Sequence, residues 1–264
     1  MSEKKKIVVH YHIYKAAGST IIDGLKHQFG GDNVMEVDKH PEYANVKAYN
    51  IAFFEELAET HPSMSAYTAH RVIPNIHWSK NVDVYPIAFV RHPLLRAMSV
   101  YRFELIREDE WPRKHIARKF DLAGWMNWCF DSRQGIECRN VQTQLYSLAD
   151  SGQFTVRLQS GVYKGDLPAL YERLDSMPTV GVVEMFDASL AIMNRAGSRY
   201  FPDFHIKNAQ VNSTKVVDDW RAELETIEKS LPKDVLDRFY EQNADDLALF
   251  ERYRARLEEQ QRQL

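Results

Sequence analysis

The segment from Lys6 to Phe29 most constrains what this 264-residue chain can fold into. It begins with a run holding Ile7, Val8 and Val9 that continues to Ile13, the pattern of a buried β-strand. A turn of small residues, Ala16-Ala17-Gly18, then opens a stretch with Ile21, Ile22, Leu25 and Phe29 at the spacing of one helix face. Strand, tight turn and helix together present backbone N–H groups to an anion at the helix N-terminus. Ala16, Ala17 and Gly18 are expected to keep side chains out of that approach. Lys15 supplies a point charge, and Ser19 or Thr20 can cap the helix or donate to the anion. The same residues also fit a plain turn with a solvated lysine, so a second motif is needed to choose. The stretch is not a Walker A loop, which needs Gly-Lys-Ser/Thr in succession; here Lys15 precedes Gly18 by three residues.

Strands and helices alternate along the next seventy or so residues. Val34–Val37, Ser65–Ala69 and Val84–Val90 read as strands, with Ile51–Glu59 as a helix between the first two. Arg91-His92-Pro93 follows the last strand, and Pro93 suits the first turn of a helix carrying Leu94, Met98, Tyr101 and Leu105. This order predicts an α/β fold with a mostly parallel, doubly wound sheet. Residues 107–139, charged and then rich in tryptophan (Trp111, Trp125, Trp128), read as a helical insertion over the sheet. Beyond it the pattern predicts helices at Arg139–Leu148, Leu167–Leu174 and Phe186–Arg195, and strands at Phe154–Leu158 and Thr179–Glu184. Two closing helices are expected at about Val217–Ser230 and Lys233–Leu257, the last with Leu236, Phe239, Leu247, Phe250 and Leu257 on one side and a fraying end. No internal repeat or low-complexity linker divides the chain, so a single domain over residues 1–264 is the simplest expectation.

A net charge of −3 argues against a general nucleic-acid binder while leaving room for a local basic pocket. Cys129 and Cys138 are too few for a disulfide framework or a four-ligand zinc site, and read as free thiols. No segment has the length and apolarity of a signal-peptide core or a membrane span, and a soluble cytoplasmic protein is expected.

The second informative stretch runs from Tyr85 to Tyr101. It puts Arg91 at the carboxyl end of a strand, where open α/β sheets bind ligands, and Ser99 two turns into the next helix. An arginine fork with a hydroxyl suits a terminal phosphate. Together, Lys15-Ala-Ala-Gly-Ser-Thr20 and Val90-Arg-His-Pro-Leu-Leu-Arg-Ala-Met-Ser-Val-Tyr101 resemble two motifs of the sulfotransferases that use 3′-phosphoadenosine 5′-phosphosulfate (PAPS). These are the 5′-phosphosulfate loop and the 3′-phosphate-binding motif. The departure is Ala16, where many members have threonine. Weaker matches lie at Arg139–Leu145, Val180–Leu190 and Val211–Lys215; the last reads equally well as a polar surface loop. The resemblance extends from about Ile7 to Tyr253 and is specific only in the two phosphate motifs.

The resemblance implies a P-loop-like three-layer α/β/α fold with a helical insertion over the active site. It further implies PAPS as donor, 3′,5′-adenosine bisphosphate (PAP) as product, and a hydroxyl-bearing acceptor. A carbohydrate is expected first, as in the heparan-sulfate-type branch; a lipid, a small metabolite or a protein tyrosine stays open. Lys15, Ala16, Ala17, Gly18, Ser19 and Thr20 would hold the 5′-phosphosulfate, and Arg91 and Ser99 the 3′-phosphate. Lys15 would also stabilise the leaving group. His70, after its strand, would be the general base, with His77, His10, His12 or an acidic residue as competitors. Arg71, Asn140 and Gln142 are candidates for acceptor binding, and the tryptophans can stack on sugar or simply be core. No metal is expected. Two other classes remain: a P-loop-type kinase, which would need a Mg²⁺-holding aspartate where Arg91-His92 stands, and a non-catalytic nucleotide-binding module.

Overall fold

The computed structural model describes residues 4–46, 48–74, 79–108, 114–147, 167–208 and 219–263. Five strands form one parallel sheet: β1 (Lys5–Tyr11), β2 (Val34–Glu36), β3 (Ala66–Ala69), β4 (Val82–Val90) and β5 (Gly181–Val182). Their spatial order is β2-β3-β1-β4-β5. β1 aligns Val8 with Ala66 of β3 and with Tyr85 of β4, so it is flanked along its length. A strand covered on both faces and both edges needs an unbroken apolar run, which Ile7-Val8-Val9 supplies. Pro86, in the middle of β4, cannot donate to a ladder. It is tolerated because β5 pairs only with Phe89 and Val90, leaving β4 a single neighbour at that level among the described residues.

Helices complete a three-layer α/β/α fold. α1 (Gly18–Phe29) buries Ile21 and Leu25 and ends at Gly30, whose φ of 87° suits glycine. α2 (Ile51–Thr60) is capped by Asn50, whose Oδ1 accepts from the Phe53 amide. α3 (Pro93–Ile106) leaves β4 with proline in its first turn. Then come α4 (Lys114–Lys119), α5 (Leu122–Asp131), α6 (Val141–Tyr146), α7 (Leu167–Asp175) and α8 (Phe186–Gly197). The chain closes with α9 (Trp220–Ser230), α10 (Lys233–Gln242) and α11 (Ala244–Arg262).

The insertion packs as a second apolar cluster. Trp125, Met126, Cys129 and Phe130 of α5 meet Leu94, Leu95 and Val100 of α3 together with Ile227, Val235 and Phe239 of α9 and α10. Trp125 is fully buried and its indole Nε1 donates to Glu104 Oε2 at 3.1 Å. It is therefore core, not a surface for stacking a sugar. Cys129 and Cys138 are buried free thiols.

Three expectations need correction. The helix expected over Lys233–Leu257 is two, because Asn243 breaks it; its side-chain amide donates to the Cys138 and Phe239 carbonyls and its Oδ1 accepts from the Asn140 amide. α11 then continues through Arg262 instead of fraying after Leu257. The strand expected over Thr179–Glu184 is only Gly181–Val182, after which Val183–Met185 wind into a 3₁₀ turn. The Phe154–Leu158 strand, the Val211–Lys215 loop, Trp111 and His77 lie outside the described residues. Among the described residues no helix is long and apolar enough to cross a membrane.

Candidate active site

The chain leaves β1 for the sheet edge at β2, returns to β3 beside β1, then crosses to β4 on the other flank. The carboxyl end of β1 is thus the point where the direction of winding switches, the place where such sheets open a crevice for ligands. Lys15 and Arg91 both leave the sheet there.

The loop is held in an uncommon shape. Lys15 and Ala17 have φ of 63° and 64°, left-handed values that cost a non-glycine residue about 1–2 kcal/mol each. Ala17 is the residue before α1, and no side chain caps that helix. The amides of Gly18, Ser19 and Thr20 have no intrahelical partner by construction, and none elsewhere among the described residues. They form the positive end of a twelve-residue helix. Ala16 is buried in the main core.

Two arginines tie the loop to the start of α3. Arg91 Nη1 donates to the Lys15 carbonyl at 2.9 Å. Arg96, 1% exposed, pairs with Glu137 Oε2 at 2.8 Å and reaches the Tyr14 carbonyl at 3.5 Å. The Lys15 ammonium lies 4.5 Å from the centre of the Phe103 ring. Burial, and then the neighbouring Arg91 charge, bring its pKa down to about 8.

Arg91 is itself braced. Its backbone N–H donates to Gln142 Oε1 and its carbonyl accepts from Gln142 Nε2, both at 2.8 Å. Its Nε lies 3.7 Å from Glu184 Oε1, which also accepts from the His92 amide. Burial raises the Glu184 carboxyl to about 7, against the pull of Arg91. The Arg91 side chain remains 21% exposed. Ser99 is half-buried on α3, its hydroxyl without a partner among the described residues.

On the other side of the loop lies an open cleft of about 280 Å³, its wall built from His12, His70, Ser19, Asp38 and Lys39 among others. His70 Nδ1 is 2.7 Å from the His12 carbonyl. A carbonyl only accepts, so Nδ1 carries the hydrogen and Nε2 of the neutral ring keeps its lone pair. Asp38 Oδ2 accepts from the His70 amide at 2.6 Å, and the His70 ring stacks on His12 with centroids 4.0 Å apart. His10, the other near neighbour, is fully buried with Nδ1 against Thr68 Oγ1; burial lowers its pKa to about 3. His10 is therefore excluded as a base facing substrate, which leaves His70 and His12 on the cleft.

Other sequence-predicted residues are engaged within the protein. Arg71 donates to Asp38 Oδ1, the Ala44 carbonyl and the Tyr49 hydroxyl. Asn140 donates to Asp245 and accepts from the Asp246 amide. Gln142 is fully buried and spends both ends of its amide on Arg91. Each of the three is thus hydrogen-bonded within the protein, and Gln142 braces Arg91. A neighbouring ring requires the glycine at position 18. A Cβ there would lie 1.8 Å from His12 Nε2, so the space over Gly18 is filled by the His12 ring and is not left open. Glu184 lies in the Val180–Leu190 segment singled out in the sequence, though not as a partner of Arg91, and nothing in the sequence marks Asp246 as a brace of the site. Asp246 caps α6 by accepting from the Gln142 and Thr143 amides, a pairing across some hundred residues that no local pattern reveals.

No family model matches the chain. It is similar to an uncharacterized protein of Archaeoglobus fulgidus, 28% identical over 250 residues, covering 93% of this chain and 95% of that one.

Proposed function

We propose that this protein is a PAPS-dependent sulfotransferase that moves the sulfuryl group to an acceptor hydroxyl. One observation carries the reading: Arg91 Nη1 is tied to the Lys15 carbonyl, so the two sequence motifs meet at the carboxyl end of the parallel sheet. That edge offers unpaired helix amides, a lysine and a partly exposed arginine, a donor set that fits a nucleotide with phosphate at both ends.

In this reading the amides of Gly18, Ser19 and Thr20 and the Lys15 ammonium hold the 5′-phosphosulfate, and Arg91 with Ser99 holds the 3′-phosphate. His70 Nε2 takes the proton of the acceptor hydroxyl. The bond from acceptor oxygen to sulfur forms as the bond from sulfur to the 5′-phosphate oxygen breaks. Negative charge grows on that oxygen, where Lys15 and the amides stabilise it. The products are a sulfate ester and PAP. The acceptor would occupy the cleft beside His70. A carbohydrate is the acceptor we favour, because among the described residues Ile22 is the one aliphatic side chain lining that cleft.

The test is transfer of label from ³⁵S-PAPS to a panel of sugars, phenols and sterols. Label in an ester with equimolar PAP, lost in Lys15→Ala and in His70→Ala, supports the reading. Phosphoryl transfer from Mg-ATP with PAPS left intact would replace it with a kinase.

A further inference from the structure

The imidazole of His12 has no role in that transfer as written, yet it lies between His70 and the start of α1. Its ring faces His70 at 4.0 Å with an interplanar angle of 28°, and its carbonyl sets the His70 tautomer. Its Nε2 edge sits over Gly18, the first residue of α1, so closely that a methyl group has no room there. The ring lines the open cleft next to Ser19. Neither ring nitrogen has a hydrogen-bond partner among the described residues. The residue is half-buried at the wall of the cleft, not sealed in the core, so its ring nitrogens remain open to a ligand there. Burial, then the neighbouring His70, His10, Lys39 and Lys15, hold its pKa far below the usual histidine range. It therefore remains neutral beside the positive end of α1, able to offer an N–H without becoming an acid.

We propose that His12 is a second catalytic histidine, whose Nε2, seated against Gly18 at the N-terminus of α1, contacts the transferring sulfuryl group while its carbonyl and ring hold His70 as base. This rests on the sulfotransferase reading. The geometry links the two halves of the reaction through one residue: the ring that meets the donor loop also fixes the plane of the base. A neutral N–H at that position would meet the sulfuryl oxygens between the attacking and leaving atoms, where a preorganised donor acts most strongly on the barrier.

The test compares PAPS with PAP, which differ by the sulfuryl group alone. In protein with ¹⁵N-labelled histidine, the His12 ring signals are assigned by their loss in His12→Phe and in His12→Gln. We expect PAPS to move a His12 nitrogen by several ppm and PAP to leave it nearly unchanged. We also expect His12→Phe, which keeps an aromatic plane against His70, to lower the PAPS-to-PAP affinity ratio about tenfold, the loss of one hydrogen bond to a charged group. His12→Gln, which restores a side-chain N–H, should recover part of that ratio. If His12→Phe does not fold, His12→Gln supplies the assignment and the wild-type shift decides. A ring signal that responds equally to both nucleotides, or an unchanged ratio in His12→Phe, would overturn the proposal and leave His12 a scaffold residue. Wild-type protein that binds neither nucleotide would instead remove the parent reading.

Discussion

Alanine at position 18 would put its methyl carbon 1.8 Å from His12 Nε2 and 2.0 Å from Cδ2, so the ring must withdraw by more than an ångström to reach ordinary contact. Overpacking of this kind costs about 1–3 kcal/mol. Loss of the His12–His70 stack adds about 0.5–1.5 kcal/mol. Alanine in place of glycine in a helix returns about 0.5–1 kcal/mol. Gly18→Ala should therefore destabilise the protein by about 0.5–4 kcal/mol on these terms. In a His12→Ala background the obstruction is gone and only the helix gain remains, so the same change should become neutral or mildly stabilising. Urea unfolding of the wild type, both single variants and the double variant closes the cycle. We expect a coupling energy of at least about 1.5 kcal/mol between the two positions. Additivity within about 0.5 kcal/mol would refute the claim that His12 dictates the glycine.

The braces around Arg91 and Lys15 lead to further outcomes. Gln142→Leu leaves the Arg91 N–H and C=O unpaired, at about 1–3 kcal/mol each; we expect a lower Tm together with weaker PAP binding, and undiminished PAP affinity would contradict the positioning role. Glu184→Gln keeps an acceptor for the His92 amide and removes the charge facing Arg91, so calorimetry should show PAP binding several-fold tighter, with weaker binding as the contrary result. Lys15 has a folded pKa of about 8, below the ordinary 10.5, so between those pH values the unfolded chain binds the additional proton. Its contribution to stability therefore rises with pH across that window, while affinity for the nucleotide falls as Lys15 loses its charge above about pH 8. Titrations from pH 6 to 10 check the second part, and a flat profile that persists in Lys15→Met would contradict it.

Much of the frame is legible in sequence because it is local. Ile7-Val8-Val9 reads as a buried strand, and Pro93 marks the start of α3. Lys15 and Arg91 stand out by their places just beyond strand ends. The parts hidden from sequence are held by long-range polar bonds. Asn243 breaks a helix whose apolar spacing continues unbroken, because its side chain serves Cys138 and Asn140 a hundred residues away. Gln142 has the look of a ligand-binding amide, yet both of its ends are spent on the Arg91 backbone. Gly18 fits an anion-binding turn, whereas the contact that excludes a side chain there comes from His12, six residues earlier. Trp125 carries the ambiguity common to buried aromatics, and its partner Glu104 resolves it.

The central claim is tested most directly by calorimetric titration of the purified protein with PAP, 5′-AMP and Mg-ATP. Tight binding of PAP alone, dependent on the 3′-phosphate and lost in Arg91→Ala, is the predicted result. Preference for Mg-ATP, or equal binding of PAP and 5′-AMP, would contradict it.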